Sequence, residues 1–422
     1  MARKMPREAR WEAEAVFLEA AQLRPAPRSS PADLGHALFE RGRFAEAAAA
    51  LHEAIRLDPR SAALRHNLGV ALDRQGKHGA AATAFREATR LEPDDVGAYL
   101  SLALSCRRRG LWSEEALAYA DAARLRPTDA DLHFELGRAL SADGRFAQAA
   151  PAFREAVRLA PHRAETHLEL GIALGRQGKH VEAEQHLREA IHLDPANVVA
   201  HANLALGLGR QGRHLEAEAA YHAAILLDPL NPRLHRGLGV THFFLRDYAP
   251  AAAAFREAIR LRPDYVTAHS DLGELFNEQG RYADAEAAFR DAIRLYPDSA
   301  AAYRGLGSAL FSQSRYADAE AAYREATRRN PDDPRSHFLL WDVLEKQGKY
   351  AEATAAYHGA LAVKPDLAEA HARLGRALFR IGQFAEAVAA YREALRLNPD
   401  DNASRSGLER ALEMQQVPRG RP

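Results

Sequence analysis

A pattern of thirty-four residues, repeated in unbroken phase along almost the whole chain, constrains the fold more than any other feature. Leu34 recurs as leucine at each such interval through Leu374, Ala54 as alanine through Ala394, and Pro59 as proline through Pro399. Counted from residue 28, eleven units fit without a gap and end at Asp401. A fixed period of this size belongs to stacked repeats, in which each unit covers its neighbour's apolar face.

The unit at 266–299, VTAHSDLGELFNEQGRYADAEAAFRDAIRLYPDS, shows what one repeat contains. Leu272, Gly273, Leu275 and Phe276 fall at helical spacing. Gly280 interrupts that helix where the chain turns, at a place suited to positive φ. Tyr282, Ala285, Phe289, Ala292, Ile293 and Leu295 then form the stripe of a second helix. Pro297 ends it, because proline cannot donate the next helical hydrogen bond, and Asp298 and Ser299 are natural caps for the following helix. The unit is a helical hairpin, with small residues where the two helices meet.

The joint pattern Leu272-Gly273, Gly280, Tyr282, Ala285, Phe289, Ala292 and Pro297 resembles the tetratricopeptide repeat. The resemblance implies an all-α fold, a right-handed α-α superhelix built of helical-hairpin repeats. The expected organisation is eleven units at 28–61, 62–95, 96–129, 130–163, 164–197, 198–231, 232–265, 266–299, 300–333, 334–367 and 368–401. A half-repeat at 1–27 precedes them, since Phe17, Ala20, Leu23 and Pro25 keep the phase of Phe85, Ala88, Leu91 and Pro93. A more polar helix at 402–416 closes the last open face, followed by a tail at 417–422. One elongated domain with neighbour-to-neighbour contacts is expected rather than several globular ones.

Charge and composition narrow the function classes. The 57 basic and 57 acidic residues balance, so no global field draws the chain to nucleic acid or to an anionic membrane. Cys106, the single cysteine, excludes an intramolecular disulfide and fits a reducing compartment. It occupies the apolar place held by Leu72 and Leu140 in neighbouring units, which marks it as a small core residue. Glu12, Glu14 and Glu19 break up the start of the chain, so it does not read as a secretory signal. No stretch is apolar enough to span a bilayer. A cytoplasmic protein is expected.

No motif points to chemistry. Gly76-Lys77 and Gly178-Lys179 lack the upstream glycine of a phosphate loop and are followed by His78 and His180 instead of serine or threonine. Seven histidines, His133, His167, His201, His235, His269, His337 and His371, share one repeat position. A whole repeat separates each from the next, whereas zinc needs its ligands to converge within about 2 Å of one ion. They read as packing residues with a polar tip, and His180 and His186 diverge around their helix. No enzyme activity, cofactor, metal or small-molecule ligand is expected.

Departures from the pattern carry local expectations. Glu115 replaces a small alanine and should loosen its helix pair. Pro151 lies inside a second helix, where a kink is expected. Arg246 and Ser314 replace turn glycines, and Trp341 stands where Gly273 or Gly307 would be, needing room from Gly359 and Ala360.

Binding is expected on the inner surface. In the family the first helices line a concave groove that holds extended peptides or a partner's helix. The faces turned away from the leucine stripe offer Arg74, Arg107, Arg108, Phe134, Arg138, Arg176 and Arg210 in early units. Later units offer Arg236, Phe243, Phe244, Arg304, Phe311, Phe338, Asp342, Phe379 and Arg380. Arginine and aromatic groups dominate interface hot spots, and arginine forks match carboxylates. The expected partner is therefore a protein or peptide, acidic or aromatic-bearing, held by a scaffold or adaptor. The alternatives are a recognition subunit for a separately encoded kinase or glycosyltransferase and, more weakly, nucleic acid along the arginines. The lysine and asparagine clamp of co-chaperone members has no counterpart in adjacent units. Of an asparagine ladder, only Asn67 and Asn203 match.

Overall fold

The structure is a computed structural model that describes residues 30–416. The half-repeat expected at 1–27 and the tail at 417–422 lie outside those residues. Every regular element among the described residues is an α-helix, and none is long and apolar enough to cross a membrane. The chain divides into two compact units, Met1–Gly212 and Arg213–Pro422; the boundary follows the turn glycine of the sixth repeat.

The first unit contains α1 (Pro31–Glu40), α2 (Phe44–Leu57), α3 (Ala62–Arg74), α4 (His78–Leu91), α5 (Val96–Arg108), α6 (Trp112–Leu125), α7 (Ala130–Ala142), α8 (Phe146–Leu159), α9 (Ala164–Arg176), α10 (His180–Leu193) and α11 (Val198–Arg210). The second contains α12 (His214–Leu227), α13 (Pro232–Phe244), α14 (Tyr248–Leu261), α15 (Val266–Glu278), α16 (Tyr282–Leu295), α17 (Ala300–Ser312), α18 (Tyr316–Arg329), α19 (Pro334–Lys346), α20 (Tyr350–Val363), α21 (Ala368–Arg380), α22 (Phe384–Leu397) and α23 (Asn402–Gln416). In each unit, helices adjacent in sequence pack as antiparallel neighbours and stack on the next hairpin.

The hairpin follows from its residues. Gly273 lets α15 approach α16 so closely that a Cβ there would sit 2.9 Å from the Phe289 ring. Phe289, Ala285 and Ala292 are buried beneath that contact. Gly280 turns the chain with φ +72°. The side chains of Ser61, Asp95, Asn197 and Ser299 accept hydrogen bonds from backbone amides of the first helical turns they cap.

Two side-chain latches join consecutive repeats. The histidines of the recurring position place Nε2 against the carbonyl of the proline six residues earlier, at 3.0 Å for His133 and Pro127, 2.9 Å for His167 and Pro161, and 3.0 Å for His269 and Pro263. A carbonyl only accepts, so Nε2 carries the proton and the ring holds the incoming turn. His201, His235, His337 and His371 do the same, and the Arg65 and Arg405 guanidiniums stand in at the equivalent place. Separately, Gln75 donates to the Phe44 carbonyl and Gln177 to that of Phe146, each at 2.9 Å and one repeat back.

The departures resolve individually. Helix α8 runs from Phe146 to Leu159 without a break at Pro151. Arg246 and Ser314 adopt the glycine conformation with φ 59° and 61°, a strained region for a residue with a Cβ. Trp341 packs against Tyr357 and Phe338, with ring centroids 4.2 and 4.4 Å away. The space at Gly359 goes to His337 instead, whose ring atoms lie 2.6 Å from where a Cβ would be. Cys106 is buried, and burial pushes its thiol up to about 11, which makes it an inert core residue at neutral pH.

Candidate functional site

Guanidinium groups are plentiful on the first helices, and a carboxylate on the same helix or about one repeat away takes up many of them. Arg108 pairs with Asp73, and Arg138 lies 3.4 Å from Glu135. Arg236 meets Asp271 at 2.6 Å, and Arg304 meets Asp333 at 2.6 Å. Burial raises the Asp271 carboxyl above its ordinary range, and the neighbouring Arg236 opposes that rise. Four of the arginines expected to face a ligand thus make contacts within the chain. Arg74, Arg176, Arg210 and Arg380 are exposed.

The aromatic set also separates. Phe134 is 0 % exposed and does not line a surface: the Arg163 guanidinium lies over its ring at 4.1 Å, and Phe153 packs beneath at 5.9 Å. Phe244 is the opposite case at 60 % exposed, stacked on His214 with centroids 5.1 Å apart. Phe243, Phe311, Phe338 and Phe379 are half-buried, each with an aromatic neighbour: Phe244, Tyr316, Trp341 and Phe384 respectively.

The third repeat shows the most complete internal use of charge. Glu115 is 1 % exposed and accepts from Arg107 Nε at 2.7 Å. Arg107 also bonds Glu135, and its guanidinium lies 5.7 Å from the Tyr119 ring centroid. Burial raises the Glu115 carboxyl above its ordinary range, with Arg107 working against the rise. Two carboxylates share one guanidinium, and Glu115 Oε2 is left without a partner.

At the C-terminal end of the second unit, cations are in surplus. A cleft of about 410 Å³ opens between α21 and α23, with Tyr391 of α22 in its wall. Arg373, Arg376, Arg380 and Arg410 line it, together with Phe379, Ser404 and Ser406. Arg373 is held at 2.6 Å by both Asp342 and Glu369, which outweigh the opposing effect of burial and raise its pKa. Arg376 reaches Glu345 at 3.2 Å. Arg380 lies 5.9 Å from the Tyr350 ring centroid and Arg410 lies 6.0 Å from that of Phe379; neither has a carboxylate partner among the described residues. The lining carries four cations and no acidic side chain. It is suited to holding carboxylates beside an apolar ring, and it contains no nucleophile–base pair.

Of this lining, the sequence reading anticipates Phe379 and Arg380 and misses Arg373, Arg376 and Arg410. Arg373, Arg376 and Arg380 follow i, i+3, i+7 spacing, which places them along one side of α21 and was a legible signal. Arg410 lies on α23, outside the repeat pattern.

The Tetratricopeptide repeat family model matches residues 67–130, 134–198, 203–266, 241–299, 270–334 and 338–402, and a TPR repeat model matches 35–76. No curated protein matches the chain. Among solved structures, yeast Tom70 is 16 % identical with a TM-score of 0.48, over 96 % of each chain. The APC/C hetero-tetramer Cut9–Hcn1 is 12 % identical with a TM-score of 0.44, over 95 % of this chain and 99 % of that one. YrrB, a TPR protein with an unusual peptide-binding site, is 21 % identical with a TM-score of 0.38, over 43 % of this chain and 94 % of that one. With that repeat pattern matched along most of its length and built as stacked helical hairpins in both units, the chain belongs to the tetratricopeptide repeat family.

Proposed function

We propose that this chain is a scaffold or adaptor whose second unit grips an acidic, aromatic-bearing polypeptide segment in the cleft between α21 and α23. Tetratricopeptide repeats are in general protein-interaction scaffolds, so the class follows from the family and the chemistry from the cleft. The observation that carries the reading is the cationic surplus: Arg380 and Arg410 face the same space without a carboxylate of their own. A carboxylate entering there gains charge-assisted hydrogen bonds, each worth about 1.5–3 kcal/mol. Phe379 supplies an apolar surface beside them for a ring of the ligand. The helices are formed before binding, so little ordering entropy opposes association. A cytoplasmic setting fits the single buried thiol of Cys106.

The test is fluorescence anisotropy with a labelled octapeptide of aspartate and glutamate around one phenylalanine, beside a lysine-substituted control. The acidic peptide is expected to bind and the control not to. Arg380→Glu with Arg410→Glu should weaken binding by roughly a hundred-fold, following the loss of two charge-assisted bonds. Equal affinity for both peptides, or an unaffected double variant, rejects the reading.

A further inference from the structure

One recurring carboxylate of the second helices shows what its normal partners are. Glu286 is 2.7 Å from Arg290, 2.9 Å from Arg315 and 3.0 Å from Gln313. Glu320 repeats the arrangement with Arg324 at 2.9 Å, Lys349 at 2.7 Å and Gln347 at 2.8 Å. Glu184 keeps Arg188 at 2.9 Å and Gln211 at 3.3 Å. Glu218 on α12 holds the same repeat position, and every one of these partners has changed. His222 replaces the arginine, Leu245 the glutamine and Asp247 the basic residue after the turn. The core leucine of the adjoining helix, Leu310 or Leu344 elsewhere, has become His242.

The replacements converge. Glu218, His222 and His242 each offer a ligand atom, and the three lie within 4.8 Å of one another. His222 Nε2 is 3.7 Å from Glu218 Oε1, too long for a hydrogen bond. It is close to the edge of a zinc tetrahedron, about 3.4 Å for bonds of about 2.0–2.1 Å. Glu218 and His222 are one helical turn apart on α12 and partly open to solvent, so small rotations close the remaining gap. His242 is fixed from the other side: it is 7 % exposed, and its Nδ1 is buried without a hydrogen-bond partner. A buried polar nitrogen in a leucine position, left unsatisfied, is a cost that packing alone does not explain.

We propose that Glu218, His222 and His242 bind one divalent transition-metal ion of the zinc class, with a fourth position open to solvent. Two imidazoles and a carboxylate are a borderline donor set that suits zinc, and three protein ligands leave a coordination position free. The ion bridges α12 and α13 and neutralises a carboxylate that has lost its arginine. Sequence spacing hides the site, because the third ligand is twenty residues beyond the second.

The experiment uses the untagged, metal-stripped full chain, titrated with Zn²⁺ against a chromophoric chelator and with Co²⁺ by visible absorption. One equivalent of Zn²⁺ is expected to bind at micromolar concentration or below, and the Co²⁺ spectrum should be that of a four-coordinate ion. His242→Leu and His222→Arg restore the residues carried by equivalent repeats and so preserve the fold; each should weaken Zn²⁺ binding roughly ten-fold or more. His201→Ala, which removes a histidine engaged with the Pro195 carbonyl, should leave it unchanged. Absence of a stoichiometric micromolar site overturns the proposal, as does tight binding that survives both His242→Leu and His222→Arg.

Discussion

The third and eleventh repeats are both rich in arginine and use it in opposite ways. Around α5 and α6, Arg107 is enclosed by Glu115, Glu135 and Tyr119, so its charge serves the interior. Around α21 and α23, four guanidiniums line one cleft and only Arg373 and Arg376 have carboxylate partners. The abundance of a cation in the sequence therefore does not measure the charge offered to a ligand. The decisive factor is whether a carboxylate stands one repeat away at the height where the guanidinium ends. The same contrast separates Phe134 from Phe338, which share a repeat position. Arg163 covers the first ring; Leu367 occupies the equivalent place near the second, and Phe338 stays half-buried.

If the third-repeat region is interior in this sense, substitutions there act on stability and those in the cleft act on binding. The largest effect is expected from Phe134→Ala, a loss of about 3–5 kcal/mol from removal of a fully buried ring, measured by denaturant unfolding. Affinity for the acidic peptide should be unaffected where the variant is folded. Next comes Arg107→Leu, which leaves Glu115 buried without its cation and should cost about 3 kcal/mol. An unchanged unfolding midpoint would show that Arg107 is a surface residue after all. In the opposite direction, Arg246→Gly relieves a positive φ and should stabilise the second unit by about 1 kcal/mol, read as a rise in its unfolding midpoint.

The smallest effect is in the pH dependence, where the two kinds of carboxylate carry opposite signs. Glu115 has its folded pKa raised above 4.5, so its stabilising contribution is present below that value and is lost as pH rises through the folded pKa. Glu286 has its folded pKa lowered; burial opposes this, and hydrogen bonds from Gln313 and Arg315 overcome it. Its contribution is present above 4.5 and is lost as pH falls through the folded pKa. Relative to the native chain, Glu115→Gln should gain stability as pH rises through and above 4.5, and Glu286→Gln should lose it as pH rises towards 4.5. Unfolding curves at several pH values that shift both variants in the same direction would contradict the comparison.

The helical hairpin was legible because its determinants recur at fixed phase: Leu272, Gly273, Ala285 and Pro297 each have a copy in many other units. The inner face was not, because its contacts join residues that no local window contains. Arg108 finds Asp73 thirty-five residues back, and Arg304 finds Asp333 twenty-nine ahead. The seven histidines were recognised as packing residues, yet their bond to the proline six residues earlier emerged only once the turn brought that carbonyl over the ring. The volume of Glu115 gives no sign of the arginine eight residues earlier that meets its carboxylate.

Free positive charge gathers at the end of the second unit, at Arg380 and Arg410, and photo-cross-linking can locate the segment it holds. An acidic octapeptide carrying a benzophenone in place of its phenylalanine would be bound, irradiated and mapped by mass spectrometry. Cross-links are expected on α21 and α23, around Phe379 and Arg410, and should disappear in Arg380→Glu with Arg410→Glu. Cross-links concentrated instead on the first unit, at Arg74 or Arg176, would contradict that placement.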